Sequence, residues 1–165
     1  MKQRLLLALL VLFASVGTMW GESSSPTLKV TVAQGGSLTV NFSPATNITV
    51  GETEMTSKSS YQITTTETAS ATQTVTISVP ALADGATRTI TISGSKVTEI
   101  ETTGDLMTTF TINNVGLEKL KINSYTKIQS LTIGNNNLAL DQIPAKSSLT
   151  LANAKYSVGT QTPNL

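Results

Sequence analysis

The sequence contains no cysteine and no histidine, and these absences exclude several kinds of chemistry. Without cysteine the chain forms no disulfide, and without either residue it lacks the usual ligands of zinc and haem sites. No Ser-His or Cys-His catalytic pair can be assembled. We therefore expect neither a cofactor nor a bound metal.

Charged and aromatic residues are also scarce, at 13% and 4% of the chain. The 11 basic residues nearly balance the 10 acidic ones, whereas a nucleic-acid partner requires a basic stripe, so we expect none. Two carboxylate pairs, Glu52/Glu54 and Glu99/Glu101, have the same-face spacing that glycoside hydrolysis could use. That chemistry also needs a cleft lined by aromatic rings, and seven aromatic residues are too few. We interpret the pairs as solvated surface acids and predict a protein that is not an enzyme.

The N-terminal segment has the pattern of a secretory signal. Lys2 and Arg4 precede a ten-residue apolar run, residues 5–14. A membrane span needs about 20 apolar residues, so this run is too short. Small residues at Ser15 and Gly17 offer a cleavage site, and Gly21 is a second candidate. We predict a signal peptide within 1–21 and an exported protein, secreted, periplasmic or at the cell surface, that retains no membrane span.

Threonine and serine are abundant, with 29 and 18 copies, and Thr, Val and Ile favour β-strands. Apolar residues alternate with polar ones over 27–33, 37–42 and 74–79, which is typical of half-buried strands. Gln34-Gly35-Gly36 suggests a hairpin turn between the first two strands. These patterns predict a Thr-rich antiparallel β domain over 26–85, with a short strand at 48–50. We expect a loop over 52–73 that contains a weak strand at 60–65.

The second half of the chain carries an internal repeat. Apolar residues recur in three columns with steps of 10 or 11 residues, and only Thr102 interrupts them. The columns are Ile90, Ile100, Phe110, Leu120, Leu131; Ile92, Thr102, Ile112, Ile122, Ile133; and Val97, Met107, Leu117, Ile128, Leu138. Columns this regular indicate a solenoid, because each coil hands its apolar residues to the next. We predict two half-repeats per turn, with Ile90–Ile92, Phe110–Ile112 and Leu131–Ile133 stacked as one parallel sheet. Ile100–Thr102 and Leu120–Ile122 would form the opposite side.

One segment of this solenoid resembles a leucine-rich repeat. Residues 128–138, IQSLTIGNNNL, fit the pattern L-x-x-L-x-L-x-x-N-x-L, with Ile at two of the Leu positions. The signal, the Thr-rich segment and the short repeats together resemble secreted leucine-rich-repeat surface proteins of anaerobic bacteria. The resemblance implies a leucine-rich-repeat-like solenoid over 86–145 that binds or adheres without catalysis. Only Asn136 occupies the motif's asparagine position, since Ser95, Val115 and Tyr125 fill the corresponding sites.

The same repeat predicts a ladder of hydroxyl groups on the outside. If Ile90, Phe110 and Leu131 point inward, their neighbours in sequence point outward. The candidate binding residues are Thr89, Thr91, Thr109, Thr111, Ser130 and Thr132. Such an array of hydroxyls and methyls resembles the threonine arrays of ice-binding solenoids and suits a regular partner surface. Threonine is also simply a preferred outward residue on a β-sheet, which is the plainer interpretation.

The end of the chain has the pattern of a cap. Residues 148–158 predict a hairpin with its turn near Asn153-Ala154, which would place Leu149 and Leu151 against the last coil. The cap and tail would occupy 146–165. The sequence thus predicts an all-β fold: an antiparallel segment, a short solenoid and a hairpin cap. Its predicted function is an exported binding or adhesion module for protein or glycan on a surface. The alternative is a structural or assembly subunit, or a fragment, of a larger bacterial cell-surface protein.

Overall fold

The fold is all-β, as the sequence predicts. The computed structural model describes residues 25–65 and 72–163, and the predicted signal peptide lies outside them. The strands are β1 (Thr27–Val50), β2 (Thr53–Thr64), β3 (Gln73–Ser78), β4 (Thr89–Thr103), β5 (Thr109–Asn113), β6 (Lys119–Ile122), β7 (Ser130–Gly134) and β8 (Lys155–Val158). Two short 3-10 helices, Leu140–Gln142 and Lys146–Ser148, separate β7 from β8. No helix in this part of the chain is long and apolar enough to cross a membrane.

The repeat forms a solenoid of two sides that meet at a corner in β4. The first half of β4 pairs in parallel with β5, which pairs with β7, which pairs with β8. The second half of β4 pairs in parallel with β6. We call the strand order β2-β1-β4-β5-β7-β8 the long side, and β3-β1-β4-β6 the short side. The predicted stacking of the half-repeats is therefore confirmed on both sides.

All fifteen residues of the three columns are buried. Their exposed fraction does not exceed 2%, except at Leu120 and Ile122 on β6, where it is 7%. Ile90, Phe110 and Leu131 lie in register across the long side, and Ile100 lies in register with Leu120 on the short side. The 10-residue spacing therefore indicates a real core.

The predicted hairpin at Gln34-Gly36 is wrong, because β1 continues through these residues. Its first half pairs with the second half of β4, and its second half pairs with the first, with a register shift between Val32 and Ser37. Residues 33–36 thus turn a corner that stacks on the corner of β4. Gly94 fits that corner because its φ is +134° and a Cβ there would lie 2.1 Å from the Ser37 carbonyl oxygen.

The N-terminal strands belong to the same stack as the repeats. β2 and β3 both pair antiparallel with β1, one on each side of the solenoid. β2 covers more of the segment than the predicted weak strand at 60–65. Buried residues from β1 and β3 join one core with those of the repeats. The 26–85 segment therefore contributes the first coils of the solenoid.

The predicted hairpin at 148–158 is also not formed. Residues 146–148 make a 3-10 turn, and β8 pairs in parallel with β7, so that Tyr156 lies beside Leu131 and Val158 beside Ile133. The apolar alternation of β8 therefore extends the existing columns. Leu149 packs partly against the core, whereas Leu151 is 39% exposed and does not cover the last coil.

Candidate binding surface

The six predicted binding residues lie together on the outer surface of the long side. In one row Thr89, Thr109 and Ser130 are in register, and in the next row Thr91, Thr111 and Thr132 are in register. All six are partly exposed, and their sequence neighbours Ile90, Phe110 and Leu131 are fully buried. This surface, with its continuation on the flanking strands, is called the threonine face. Each coil presents two hydroxyl groups on it, about 4.8 Å from those of the next coil.

The flanking strands widen the threonine face beyond the repeat. Asn41 of β1 pairs with Thr91, and Ser43 pairs with Thr89. On β2, Ser60 pairs with Asn41 and extends the row by one more strand. The longest row is Ser60, Asn41, Thr91, Thr111, Thr132, Ser157. It crosses six strands, or about 24 Å at the usual strand spacing.

The sequence contains a signal for this extension. Residues 37–43 alternate apolar and polar side chains, and Thr39, Asn41 and Ser43 follow the same outward pattern as the repeat. The predicted hairpin concealed their position, because it separated β1 from the solenoid. Only the antiparallel pairing of β1 with β4 brings them into the threonine rows.

The threonine face is almost free of charge. Its longest row contains only Ser, Thr and Asn, and the neighbouring row ends at Lys155 on β8. Lys155 is exposed at the outer strand, where its ammonium remains in water. The face therefore offers hydroxyl and amide groups that both donate and accept hydrogen bonds, together with the threonine methyls.

The outer surface of the short side, called the charged face, differs. Lys29, Glu101 and Lys121 form one row across β1, β4 and β6. Lys121 Nζ lies 2.7 Å from Glu101 Oε1, so opposite charges meet on neighbouring coils. Hydrogen bonds from Lys121 and from Asn123, and then the charge of Lys121, hold the pKa of Glu101 below its ordinary value of 4.5.

Asn136 supports the corner beneath the two sides. Its side chain is fully buried, and its Oδ1 accepts hydrogen bonds from the backbone N–H of Val115 (3.1 Å) and Leu117 (3.4 Å). Its Nδ2 donates to the carbonyls of Ile112 (3.1 Å) and Gly134 (3.0 Å). One amide therefore satisfies backbone groups from two successive coils.

Arg88 fixes the start of the first repeat strand. It is 7% exposed, and its Nη1 donates to the carbonyl oxygens of Pro80 and Leu106, each at 3.0 Å. Burial lowers the pKa of Arg88. Thr108 adds two hydrogen bonds to the same segment, accepting from the Arg88 N–H and donating to the Arg88 carbonyl. These contacts anchor the backbone next to Thr89 at the start of β4.

Two aspartates contact basic or hydroxyl groups. Asp84, in the turn at residues 84–85, contacts Lys127, and Asp105 accepts hydrogen bonds from Ser124 and Thr126. The hydrogen bonds from Ser124 and Thr126 lower the pKa of Asp105 despite its partial burial. Within residues 25–65 and 72–163, no group of three or more acidic side chains could hold a metal ion.

Known proteins offer no guide to this surface. Comparisons with models of protein families, with curated proteins and with solved structures found no match to the chain. The candidate site therefore depends on geometry and chemistry alone.

Proposed function

We propose that this protein is an exported, non-catalytic binding or adhesion module that engages protein or glycan on a surface through the threonine face. The observation that carries the proposal is the in-register array of partly exposed hydroxyl residues across β4, β5 and β7. The resemblance of residues 128–138 to a leucine-rich repeat supports it, because proteins with stacked repeats use their extended surfaces for binding.

The chemistry of the threonine face suits a polar, regular partner. A charged surface would bind its partner mainly through electrostatic attraction, and salt would screen that attraction. The hydroxyl rows instead offer hydrogen bonds at fixed intervals on a sheet that is anchored by a buried core. A glycan chain or a protein strand presents polar groups at similarly regular intervals, and both suit such a surface.

A triple substitution tests the proposal. Replacing Thr91, Thr111 and Thr132 together with Lys places three ammonium groups along the centre of the threonine face. We expect binding to immobilised glycans and to surface proteins to be lost. The fold should remain nearly as stable, because exposed changes usually alter stability by less than about 0.5 kcal/mol each.

The matched control carries the same three charges elsewhere. Thr74, Thr76 and Thr150 are exposed residues away from the threonine face, and their triple replacement by Lys should leave binding intact. Binding that survives the substitutions on the threonine face would refute that face as the site. Equal loss in both triple variants would indicate an effect of net charge and would also contradict the proposal.

The second candidate function is a structural or assembly subunit of a larger cell-surface structure. It is favoured by a separate observation at the two ends of the long side, where apolar side chains remain partly exposed on the outermost strands. These strands are β2 and β8.

A further inference from the structure

The two outermost strands of the long side run in the same direction. β2 is antiparallel to β1, and β1 is antiparallel to β4, so β2 runs in the direction of β4. β5, β7 and β8 continue in parallel from β4. A second molecule, translated along the solenoid axis, would therefore bring its β2 beside β8 as one more parallel strand.

Both outermost strands leave part of the core uncovered. Tyr61 and Ile63 of β2 are only partly buried, as are Tyr156 and Val158 of β8. The apolar residues of the strands between them, from Leu38 to Ile133 across the long side, are at most 3% exposed. The two ends also share a pattern, because each presents Tyr-x-Ile or Tyr-x-Val toward the core. At each end, therefore, the apolar side chains of the outermost strand are packed on one side and uncovered on the other.

The backbone of each outer strand has a free edge in the described part of the chain. The Thr65 N–H donates to the Gly36 carbonyl, and alternate residues of a strand direct their N–H groups to opposite edges, so the Gln62 N–H faces away from β1. Similarly, the Gly159 N–H donates to the Ile133 carbonyl, which directs the Val158 N–H away from β7. Unpaired edges of this kind are templates for strand pairing.

The charges of the two ends are complementary. The C-terminal coils, residues 119–163, hold one acidic residue, Asp141, and five lysines: Lys119, Lys121, Lys127, Lys146 and Lys155. Lys121 and Lys127 contact Glu101 and Asp84 of earlier coils, and the other three add positive charge at this end. The turn before β2 and β2 itself, at the opposite end, hold two acidic residues, Glu52 and Glu54, and one lysine, Lys58. Attraction therefore favours contact between opposite ends, whereas two C-terminal ends would repel each other.

We propose that a second copy of this chain docks head to tail, with the edge of its β2 pairing in parallel with the edge of β8. Tyr156 then lies beside the second copy's Tyr61, and Val158 lies beside its Ile63. This register keeps Lys155 beside Ser60 and away from Lys58, because it offsets the two lysines by two residues. The contact is heterologous, so it repeats and builds a linear assembly. Within one copy Tyr61 lies in the same row as Val158, so the rows of the threonine face step by two residues at each contact.

Substitutions at the two edges test the pairing separately. Gln62→Pro removes the outward N–H of β2 at an exposed position, which edge strands tolerate. Gln62→Thr is the control that retains this N–H. Val158→Lys places a charge in the contact, and Thr150→Lys is the control, because that exposed residue lies outside β8. Circular dichroism and thermal unfolding of each dilute variant establish that the monomer is folded.

Sedimentation velocity over a concentration series gives the readout. We expect the unmodified protein and both controls to form concentration-dependent oligomers, and Gln62→Pro and Val158→Lys to weaken association about tenfold or more. A mixture of these two folded variants should form a 1:1 dimer, because each retains one intact and complementary end. An unmodified protein that remains monomeric at every concentration would overturn the proposal. So would a mixture without heterodimer, or oligomers that Gln62→Pro leaves unchanged.

Discussion

The long and short sides of the solenoid share one interior chemistry but differ on the outside. Inside, both sides stack Ile, Leu and Val from coil to coil, and the long side adds Phe42 and Phe110. Outside, the long side presents rows of hydroxyl groups, and the short side presents the alternating row Lys29, Glu101, Lys121. The interior of a solenoid is fixed by packing between neighbouring coils, whereas outward positions are free to carry function or solubility. The difference between the two faces therefore points to the surface on which to test binding.

The two sides also differ in how completely their interiors are closed. The long side spans six strands, and Phe110 in its centre is fully buried. The short side ends at β6, where Leu120 and Ile122 are each 7% exposed and line a groove beside residues 141–145. On the next coil a 3-10 helix, Leu140–Gln142, takes the place of a strand, and its Leu140 is 87% exposed. The short side is consequently the weaker of the two.

The largest expected effect comes from deleting core side chains on each side. Phe110→Ala should destabilise the fold by about 3–5 kcal/mol, and Leu120→Ala by about 2–3 kcal/mol, because the groove beside Leu120 lets the site relax. Thr111→Ala, at a partly exposed position, should change stability by less than about 0.5 kcal/mol. Chemical denaturation measures all three. A loss from Thr111→Ala as large as that from Leu120→Ala would contradict the inward and outward assignment.

A second prediction concerns the corner that joins the two sides. Asn136→Ala leaves the backbone groups of Val115, Leu117 and Ile112 without their buried partner, and each lost partner typically costs about 1–3 kcal/mol. We expect a total loss of at least about 2 kcal/mol. Asn153→Ala, at an exposed turn, is the control and should have little effect. Equal stability of the two variants would show that the corner does not depend on the asparagine.

The third prediction compares two buried threonines, one with hydrogen-bond partners for its hydroxyl and one without. The hydroxyl of Thr102, in the core of the short side, has no hydrogen-bond partner, whereas Thr108 makes two hydrogen bonds to the Arg88 backbone. Thr102→Val should stabilise the protein by about 1 kcal/mol, because the buried hydroxyl is removed and the shape is kept. Thr108→Val should destabilise it by about 1–3 kcal/mol. The two changes should shift the melting temperature in opposite directions, and a shift in the same direction would refute the assignment.

The smallest predicted effect is a difference in the pH dependence of stability between variants of the charged face and of the threonine face. The folded-state pKa of Glu101 is depressed, so its contribution to stability is present above its ordinary value of 4.5 and is lost as pH falls through the folded value. Glu101→Gln should reduce the acid sensitivity of unfolding, and added salt should do the same by screening Lys121. Thr111→Ala should leave the pH profile unchanged, since its row on the threonine face holds no titratable group. An altered profile in that variant would indicate electrostatic coupling between the faces.

The sequence was sufficient to predict the repeat and the side-chain directions that follow from it. The columns of 10 and 11 residues predict both the solenoid and the outward hydroxyl rows, because period-2 alternation fixes which side of a strand each residue occupies. The predicted registers, such as Ile90 with Phe110 and Leu131, are confirmed. Binding by the threonine rows stays a prediction, because a register describes where residues lie and says nothing of a partner.

The tertiary structure decided what joins the repeat at its two ends. Gln34-Gly35-Gly36 has the composition of a hairpin turn, but the same glycines also permit a corner, and pairing with the bent β4 selects the corner. Residues 148–158 contain alternation that suits a hairpin. However, Leu131 and Ile133 of β7 would be uncovered without β8, and they provide a better partner for Tyr156 and Val158. Local patterns fix which side chains turn inward, whereas the choice of the neighbouring strand depends on which apolar surface is available to cover.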